Sequence, residues 1–540
     1  MMITLSCALM SLELRYYKQT LVGLCKRNSE ISPHQERSLN LQIFCSLFML
    51  RKLVCGLEIH TQLKTGQKLF SLSSTEASKP NTNISFFDIG LPGSQPTLNQ
   101  ACLLTALKAC VSLNSNINSV STFDRKHYFY PDQPNGYQIT QYYRPISSGG
   151  FLKLSKRFDE IDEDEKLVRI HHIQIEQDTG KSLYKDLSDK SLVDYNRSNM
   201  PLIEVVTEPD LNSVKQVKAF LRKYLQLMKT MDVSTGQLEA GAMRVDVNVS
   251  VDDGERVEIK NMTSTSAIVN AIRYEFKRQT KSIDKGNPIK TKETRGWDGN
   301  KTFRLRDKES SVDYRYMPDP ELPPVVLDVN DIVTRIKKMT ITTPEEQLAQ
   351  LMSPPYNIKL RDARILLNDR NLLGYYYALF SRTSAKNIPS KYPINWCCHE
   401  FLGYLAKNNI DFSEDLFPVH QLADLIDCIF REQVTNNNAK ILFEHLLANP
   451  AENEGPIIDL ITKYELGEVD VTNDSELLAQ VDSIIDDVLD TYPAIVKELQ
   501  EGNKPGSINY LLGQCMRTSA GRIKSKVFES RLKEKIHIIK

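Results

Sequence analysis

In the stretch VCGLEIHTQL, Glu58 and His60 stand two residues apart between Leu57 and Ile59. In an extended strand, side chains two apart leave on the same face. Leu57 and Ile59 then face a core, while a carboxylate and an imidazole share the opposite face. Three further runs repeat the design. MRVDVNVSV sets Val245, Val247, Val249 and Val251 against Arg244, Asp246, Asn248 and Ser250; VEIKNM sets Val257 and Ile259 against Glu258 and Lys260; IHHIQIEQDTGK sets Ile173 and Ile175 against His172, Gln174 and Glu176. The wet face of a half-buried strand explains any one of these runs. Together, their carboxylates would repel one another on one sheet face unless a cation sat among them. Mg²⁺ takes oxygen ligands and pairs with nucleotide phosphates. Lys260 and Arg244, on the same faces, could hold phosphate oxygens. The chemistry suggested by this spacing is a metal–phosphate site.

Familiar nucleotide motifs do not supply it. DTGKS contains Gly180-Lys181-Ser182, but the first glycine of a P-loop would fall on Ile175. There is no dinucleotide fingerprint and no convincing nucleophile dyad, so catalytic groups stay unassigned.

The elements that must position these residues read as α+β. From Val54 to about Pro324 the pattern is strand-rich, with short alternating runs between Gly, Pro, Asn and Asp turns. YFYPDQPNGYQIT is such a turn between apolar ends. Two helices interrupt it: one around NQACLLTALKACVSL, with Leu103, Leu104, Leu107 and Val111 at helical spacing, and one over Ser213 to Met231. YRYMPDPELPP carries four prolines and marks a boundary. The chain then turns helical through PEEQLAQLM and LRDARILLNDRNLLGYYYALF. A second boundary is expected near Asp411–Pro418, followed by helices in which Leu422, Leu425, Ile426 and Ile429 form a core stripe, with a stop at Gly502. The expected organisation is a 1–52 leader, a strand-rich cradle over 53–326, a helical domain over 327–414 and a helical tail domain over 415–540.

The 540 residues carry 68 basic and 68 acidic side chains, so no global field marks a nucleic-acid binder, and any such surface must be local. Ten cysteines without a C-x-x-C pair argue against a zinc ribbon and a disulfide framework, and point to a reducing compartment. The longest apolar run, LQIFCSLFML, is far short of the roughly 20 residues a spanning helix needs, so no membrane insertion is expected. Residues 1–52 are basic, Ser-containing and poor in acids, as organelle transit segments are; a start at Met49 is the bland alternative.

At this point the residues match a known family. GLEIHTQL, FDRKHYFYPDQPNGYQITQ, EQDTGK, LVDYNRSNMPLIEVVTEPD, RVDVNVSV, EIKNM, ETRGWD and DYRYMPDPELPP occur in family order from about residue 54 to 324. Through them the chain resembles the B subunits of the glutamyl-tRNA(Gln) amidotransferases, in a mitochondrial form; YLLGQCMRTSAGR extends the resemblance more loosely to the end. The resemblance implies a cradle that binds ATP and Mg²⁺ and activates the γ-carboxyl of glutamate on Glu-charged tRNA(Gln). It also implies an amidase-type glutaminase partner (the A chain of such complexes) that supplies ammonia, a small third subunit, and a place in the mitochondrial matrix. Glu58, His60, Glu176, Asp246 and Glu258 would then be magnesium-site residues, and Arg244, Asn248 and Lys260 would meet ATP or its phosphates. Gln177 stands where the family has a second acid. That removes one possible ligand and, with Ala240, where the family often has Glu, gives some weight to the rival reading of a catalytically silent tRNA-binding scaffold. Bacterial relatives carry zinc-binding cysteines where this chain has Ser71, Ser73, Ser85 and Asp88. Neutral hydroxyls cannot replace thiolates, so no zinc is expected, and Phe86 and Phe87 are expected to pack the loop.

From Glu501 to Lys540 the chain has nine basic and three acidic residues. Arg517, Arg522, Lys524 and Lys526 read as a basic turn between helices. They are expected to grip tRNA through its phosphates, by shape more than by base sequence. The resemblance agrees, since the family's tail domain touches the tRNA body.

Overall fold

The computed structural model describes residues 51–540 apart from 77–78, 185–190, 238–240, 308–312, 340–341, 454, 468–474, 501–506, 520–522, 524 and 537–540. Residues 1–50 of the leader, Ala240, Gly502, Arg522 and Lys524 therefore lie outside the described residues, while Arg51 and Lys52 bond to Asp252 of the cradle.

The cradle strands are β1 (Leu53–Gln62), β2 (Asn116–Ile117), β3 (Asp124–His127), β4 (Tyr137–Thr140), β5 (Ser147–Ser148), β6 (Phe151–Ser155), β7 (Glu165–Gln177), β8 (Pro201–Thr207), β9 (Met243–Val251), β10 (Val257–Lys260), β11 (Glu293–Trp297) and β12 (Thr302–Asp307). One ten-stranded sheet runs β12-β11-β10-β9-β1-β8-β7-β5-β2, with β6 also paired to β7. Its central pairs are antiparallel; β10 and β11 run parallel. The alternation read in the sequence survives as burial: Val245, Val247, Val249, Leu57, Ile59, Ile173 and Ile175 are all buried. Strands β3 and β4 form a separate hairpin.

Among the described residues, three long helices interrupt the strands, one more than the sequence pattern predicts. They are α1 (Gln100–Ser112), α2 (Val214–Thr230) and α3 (Thr265–Asp284). Asn99, Ser213 and Ser264 cap their N-termini by accepting from backbone N–H groups. The face of α1 differs from the expected leucine stripe. Cys102, Ala106, Leu107, Ala109 and Cys110 are buried while Leu104 is exposed, because small side chains let the helix lie close on the sheet.

The rest of the chain is helical, as the α+β reading expects. PEEQLAQLM is a helix with a capping box between Thr343 and Glu346. The following run breaks into two helices at Asp369, which caps the second. Among the described residues no helix is long and apolar enough to cross a membrane.

Three hydrophobic cores form among the described residues. The first lies in the cradle and includes Ile336 of the helix Val329–Met339. The second draws residues from Leu348 to Ile461, on both sides of residue 414, and contains the Leu422, Leu425, Ile426 and Ile429 stripe. The third runs from Val481 to Ile536.

Candidate metal and phosphate site

Sheet register builds the site. Glu58 on β1 lies opposite Asp246 on β9, and His60 lies opposite Arg244 on β9 and Glu204 on β8. On β9, Asn248 lies opposite Glu258 of β10. The side chains gather into two groups. Ligand atoms of His60, Glu176 and Glu204 all lie within 4.8 Å of one another, and so do those of Glu58, Asp246 and Glu258. The acids and the imidazole expected from the sequence are thus divided between two clusters, and Glu204 joins them.

The first group is held from outside. His60 Nε2 is 3.2 Å from Glu176 Oε1 and 3.8 Å from Glu204 Oε2. Thr140 Oγ1 donates to Glu176 at 3.3 Å, and Gln174 donates to Glu204. Burial works against charge on His60, but the Glu176 hydrogen bond and the charges of Glu176, Glu204 and Asp246 outweigh it and hold the imidazole up at about 9. Burial likewise opposes ionisation of Glu176, yet His60 keeps that carboxyl below its ordinary range. Glu204, buried and beside the charged Glu176, is pushed up to about 7. Two carboxyl groups, of which Glu204 keeps its proton the more readily, and one imidazolium share this pocket.

The second group is all oxygen. Thr294 Oγ1 donates to Glu258 at 2.9 Å, and Asn248 Nδ2 donates to Glu58 at 2.9 Å. Lys260 Nζ reaches Asp246 at 2.7 Å and Glu258 at 3.4 Å. Burial opposes the Lys260 charge, but Asp246 and Glu258 keep its pKa above the ordinary ammonium value. Arg244 turns away from this group and pairs with Asp178 at 2.8 Å. The carbonyl oxygen of the Asn248 side chain is buried without a partner among the described residues. A buried acceptor left open beside three carboxylates suits a cation. An oxygen set of this kind fits Mg²⁺, and the His-containing set also fits a softer divalent ion.

Sequence reasoning missed Glu204 because the same-face neighbours in PLIEVVT, Leu202 and Val206, are apolar. The available signal was a lone acid between Ile203 and Val205, the same local arrangement that flagged Glu58. Gln177 is buried, with its Oε1 unpartnered among the described residues. It follows Glu176 directly on β7, so alternation sends it to the other face.

The serine positions hold a different structure. Lys68 and Asp88 are both fully buried and pair at 2.9 Å. Asp88 also accepts from Ser71 Oγ at 3.0 Å, Asn199 Nδ2 at 3.0 Å and the Ser85 N–H at 2.9 Å. Phe87 packs edge-on to Phe70, whereas Phe86 is exposed, so only one of the two expected aromatic rings fills this region. In the tail, Arg517 and Lys526 line one cleft of about 890 Å³ with Tyr392, Asn436 and Asn437.

Comparison with known proteins adds the following. The GatB/GatE catalytic domain family matches residues 53–333, and a second family, described as the GatB domain, matches residues 378–536. The mitochondrial B subunit of the glutamyl-tRNA(Gln) amidotransferase from Debaryomyces hansenii is 45% identical over 489 residues, covering 90% of this chain and 94% of that protein. Its namesake in Scheffersomyces stipitis is 46% identical over 485 residues, 89% of this chain and 95% of that protein. The Saccharomyces cerevisiae protein of that name is 43% identical over 515 residues, 90% and 94% of the two chains.

Proposed function

The chain belongs to the family of glutamyl-tRNA(Gln) amidotransferase B subunits, and from that premise we propose that it activates and amidates the glutamate of Glu-tRNA(Gln) to give Gln-tRNA(Gln) in the mitochondrion. The observation that carries the reading is the convergence of two carboxylate clusters on one sheet face inside the region matched by the catalytic domain. A partner glutaminase of the amidase type supplies the ammonia, a small third subunit completes the complex, and the compartment is the matrix. The same reading keeps the 53–326 cradle as one unit; the two helical cores support a division of the remainder nearer residues 461–481 than 414.

A free carboxylate is a poor acyl donor because its leaving group would be oxide. ATP with Mg²⁺ supplies a phosphoryl group that makes phosphate the leaving group. Glu58, Asp246 and Glu258 are the residues to hold a divalent cation, with Asn248 completing the oxygen set. His60, Glu176 and Glu204 form a second holding group; a cation there requires neutral His60 and ionised Glu204, so binding releases protons. Lys260 and Arg244 bring positive charge to the same wall and offset that of phosphate oxygens. Arg517 and Lys526, with Arg522 and Lys524, contact tRNA phosphates.

The test is the purified complex supplied with Glu-tRNA(Gln), ATP, Mg²⁺ and glutamine. ATP-dependent appearance of Gln-tRNA(Gln) is expected. Active glutaminase with neither ATP turnover nor amidated product would mark the chain as a silent scaffold.

A further inference from the structure

The all-oxygen group of the wall has a cation of its own in place. Ligand atoms of Glu58, Asp246 and Glu258 lie within 4.8 Å of one another. The ammonium of Lys260 sits against them, 2.7 Å from Asp246 Oδ2 and 3.4 Å from Glu258 Oε1. Three carboxylates this close repel one another, and one ammonium offsets only part of their charge. The oxygen set also asks for more than Lys260 gives. Asn248 is 8% exposed, lies opposite Glu258, and its side-chain carbonyl has no donor among the described residues. An ammonium brings a single charge and three donors, whereas Mg²⁺ gathers about six oxygens at roughly 2.1 Å.

The two sides of this ion pair differ in freedom. The carboxylates are fixed: Thr294 Oγ1 donates to Glu258 and Asn248 Nδ2 donates to Glu58, each at 2.9 Å. The side chains of Asp246 and Glu258 are only 18% and 7% exposed. Lys260 is tethered more loosely. Among the described residues its ammonium has no partner besides these two acids. Its side chain is 33% exposed, and it closes β10, just before Asn261 enters the left-handed region at φ 66°. A four-carbon stem with an open side can carry the ammonium outward without moving the strand.

A divalent cation held by the same oxygens would stand within about 5 Å of the present ammonium position. Like charges that close repel strongly where water is scarce, so Lys260 cannot keep its place. The nearest new anion is the phosphate that such a cation brings with it. Resting on the function proposed above, we propose that Lys260 is a built-in stand-in for the divalent cation. It neutralises the oxygen site when no cation is bound, leaves as the cation binds, and then takes a phosphate oxygen of the nucleotide. The exchange makes nucleotide affinity depend on the cation, because bare nucleotide meets a lysine still engaged with Asp246 and Glu258. Arg244 has no part in it, since its partner Asp178 belongs to neither carboxylate group.

The experiment reads the lysine itself in the assembled complex. Acylation of Lys260 by an N-hydroxysuccinimide ester is followed by peptide mass spectrometry and normalised to the exposed Lys338. With the freed lysine populated at roughly 10% or less at rest, Mg²⁺ alone should raise Lys260 labelling about tenfold or more. A non-hydrolysable ATP analogue added to the Mg²⁺ should suppress it again. Mn²⁺ affinity without nucleotide is the second readout. Lys260→Met removes the competitor and should tighten Mn²⁺ binding about tenfold or more, whereas Lys260→Arg keeps the charge and should not tighten it. Labelling that stays level or falls with Mg²⁺ alone would overturn the proposal, as would a Lys260→Met complex that binds Mn²⁺ no more tightly than the wild type. The labelling uses the wild-type chain, so it decides the question even where a variant fails to assemble. If labelling follows the expected course while no Gln-tRNA(Gln) is made, the proposed reaction falls and the exchange stands; amidation with an unresponsive Lys260 does the reverse.

Discussion

The buried Lys68–Asp88 pair allows a worked expectation about what stabilises the cradle where bacterial relatives have cysteines. Both side chains are fully buried and their charged atoms lie 2.9 Å apart. Burial holds Lys68 below its ordinary ammonium value even with Asp88 beside it. Lys68→Met removes one charge and leaves the other in the interior. Breaking a buried ion pair from one side typically costs about 3–5 kcal/mol. Asp88 retains donors from Ser71, Ser85 and Asn199, which places the expected loss near the lower end, about 3 kcal/mol. For a unit of this size that is a fall in Tm of roughly 5–6 °C. The double variant Lys68→Met/Asp88→Leu leaves no orphaned charge and should recover much of the loss, as apolar replacement of buried pairs often does. The assay is thermal unfolding of the assembled complex, with and without a chelator, together with metal analysis. The reasoning fails if Lys68→Met unfolds within about 2 °C of the wild type, if the double variant is no better than the single one, or if stoichiometric zinc is found and its removal lowers Tm.

Two other expectations follow from the structure. Glu275 is fully buried and bound by Arg278, Gln279 and Thr302; burial opposes its charge, but these partners keep its pKa below the ordinary value of 4.5. Its stabilising contribution is therefore complete above about pH 4.5 and disappears as pH falls through the lower folded-state value. Urea unfolding from pH 6 to pH 3 should show a shallower loss in Glu275→Gln than in the wild type, and equal slopes would refute the assignment. In the tail, Arg517→Ala with Lys526→Ala should raise KM for charged tRNA and flatten the salt dependence of binding while tRNA-independent glutaminase survives; an assembled variant complex with unchanged affinity and salt slope would refute the phosphate-binding reading of the tail.

What the sequence revealed, and what it hid, follows from the range of each signal. Alternation in MRVDVNVSV and VEIKNM is local, and the valines and isoleucine of β9 and β10 carry it into burial, although Asn248 and Glu258 on the polar face are buried as well. Which carboxylates meet is a matter of register between strands far apart in the chain. Glu58 meets Asp246 because β1 and β9 pair, and nothing inside either run encodes that pairing alone. Glu204 was lost for the same reason: its own strand offers no second polar residue on that face except across the sheet, where His60 lies opposite it. Arg244 was legible as a cation on the wall, but its pairing with Asp178 depends on the turn after β7. Likewise, LRDARILLNDRNLL reads as continuous helix by periodicity, while the break at Asp369 comes from a side chain that caps the next helix.

In the proposed reaction the carboxylate wall holds divalent cations for the amidation step. The direct measurement is binding of Mn²⁺, a spectroscopic stand-in for Mg²⁺, to the assembled complex, wild type and with Glu176→Gln or Asp246→Asn, alongside amidation and glutaminase rates. Each variant should weaken cation binding and abolish amidation while leaving glutaminase activity largely intact. Variants that bind Mn²⁺ as the wild type does, and still amidate Glu-tRNA(Gln) at limiting Mg²⁺, would contradict the account.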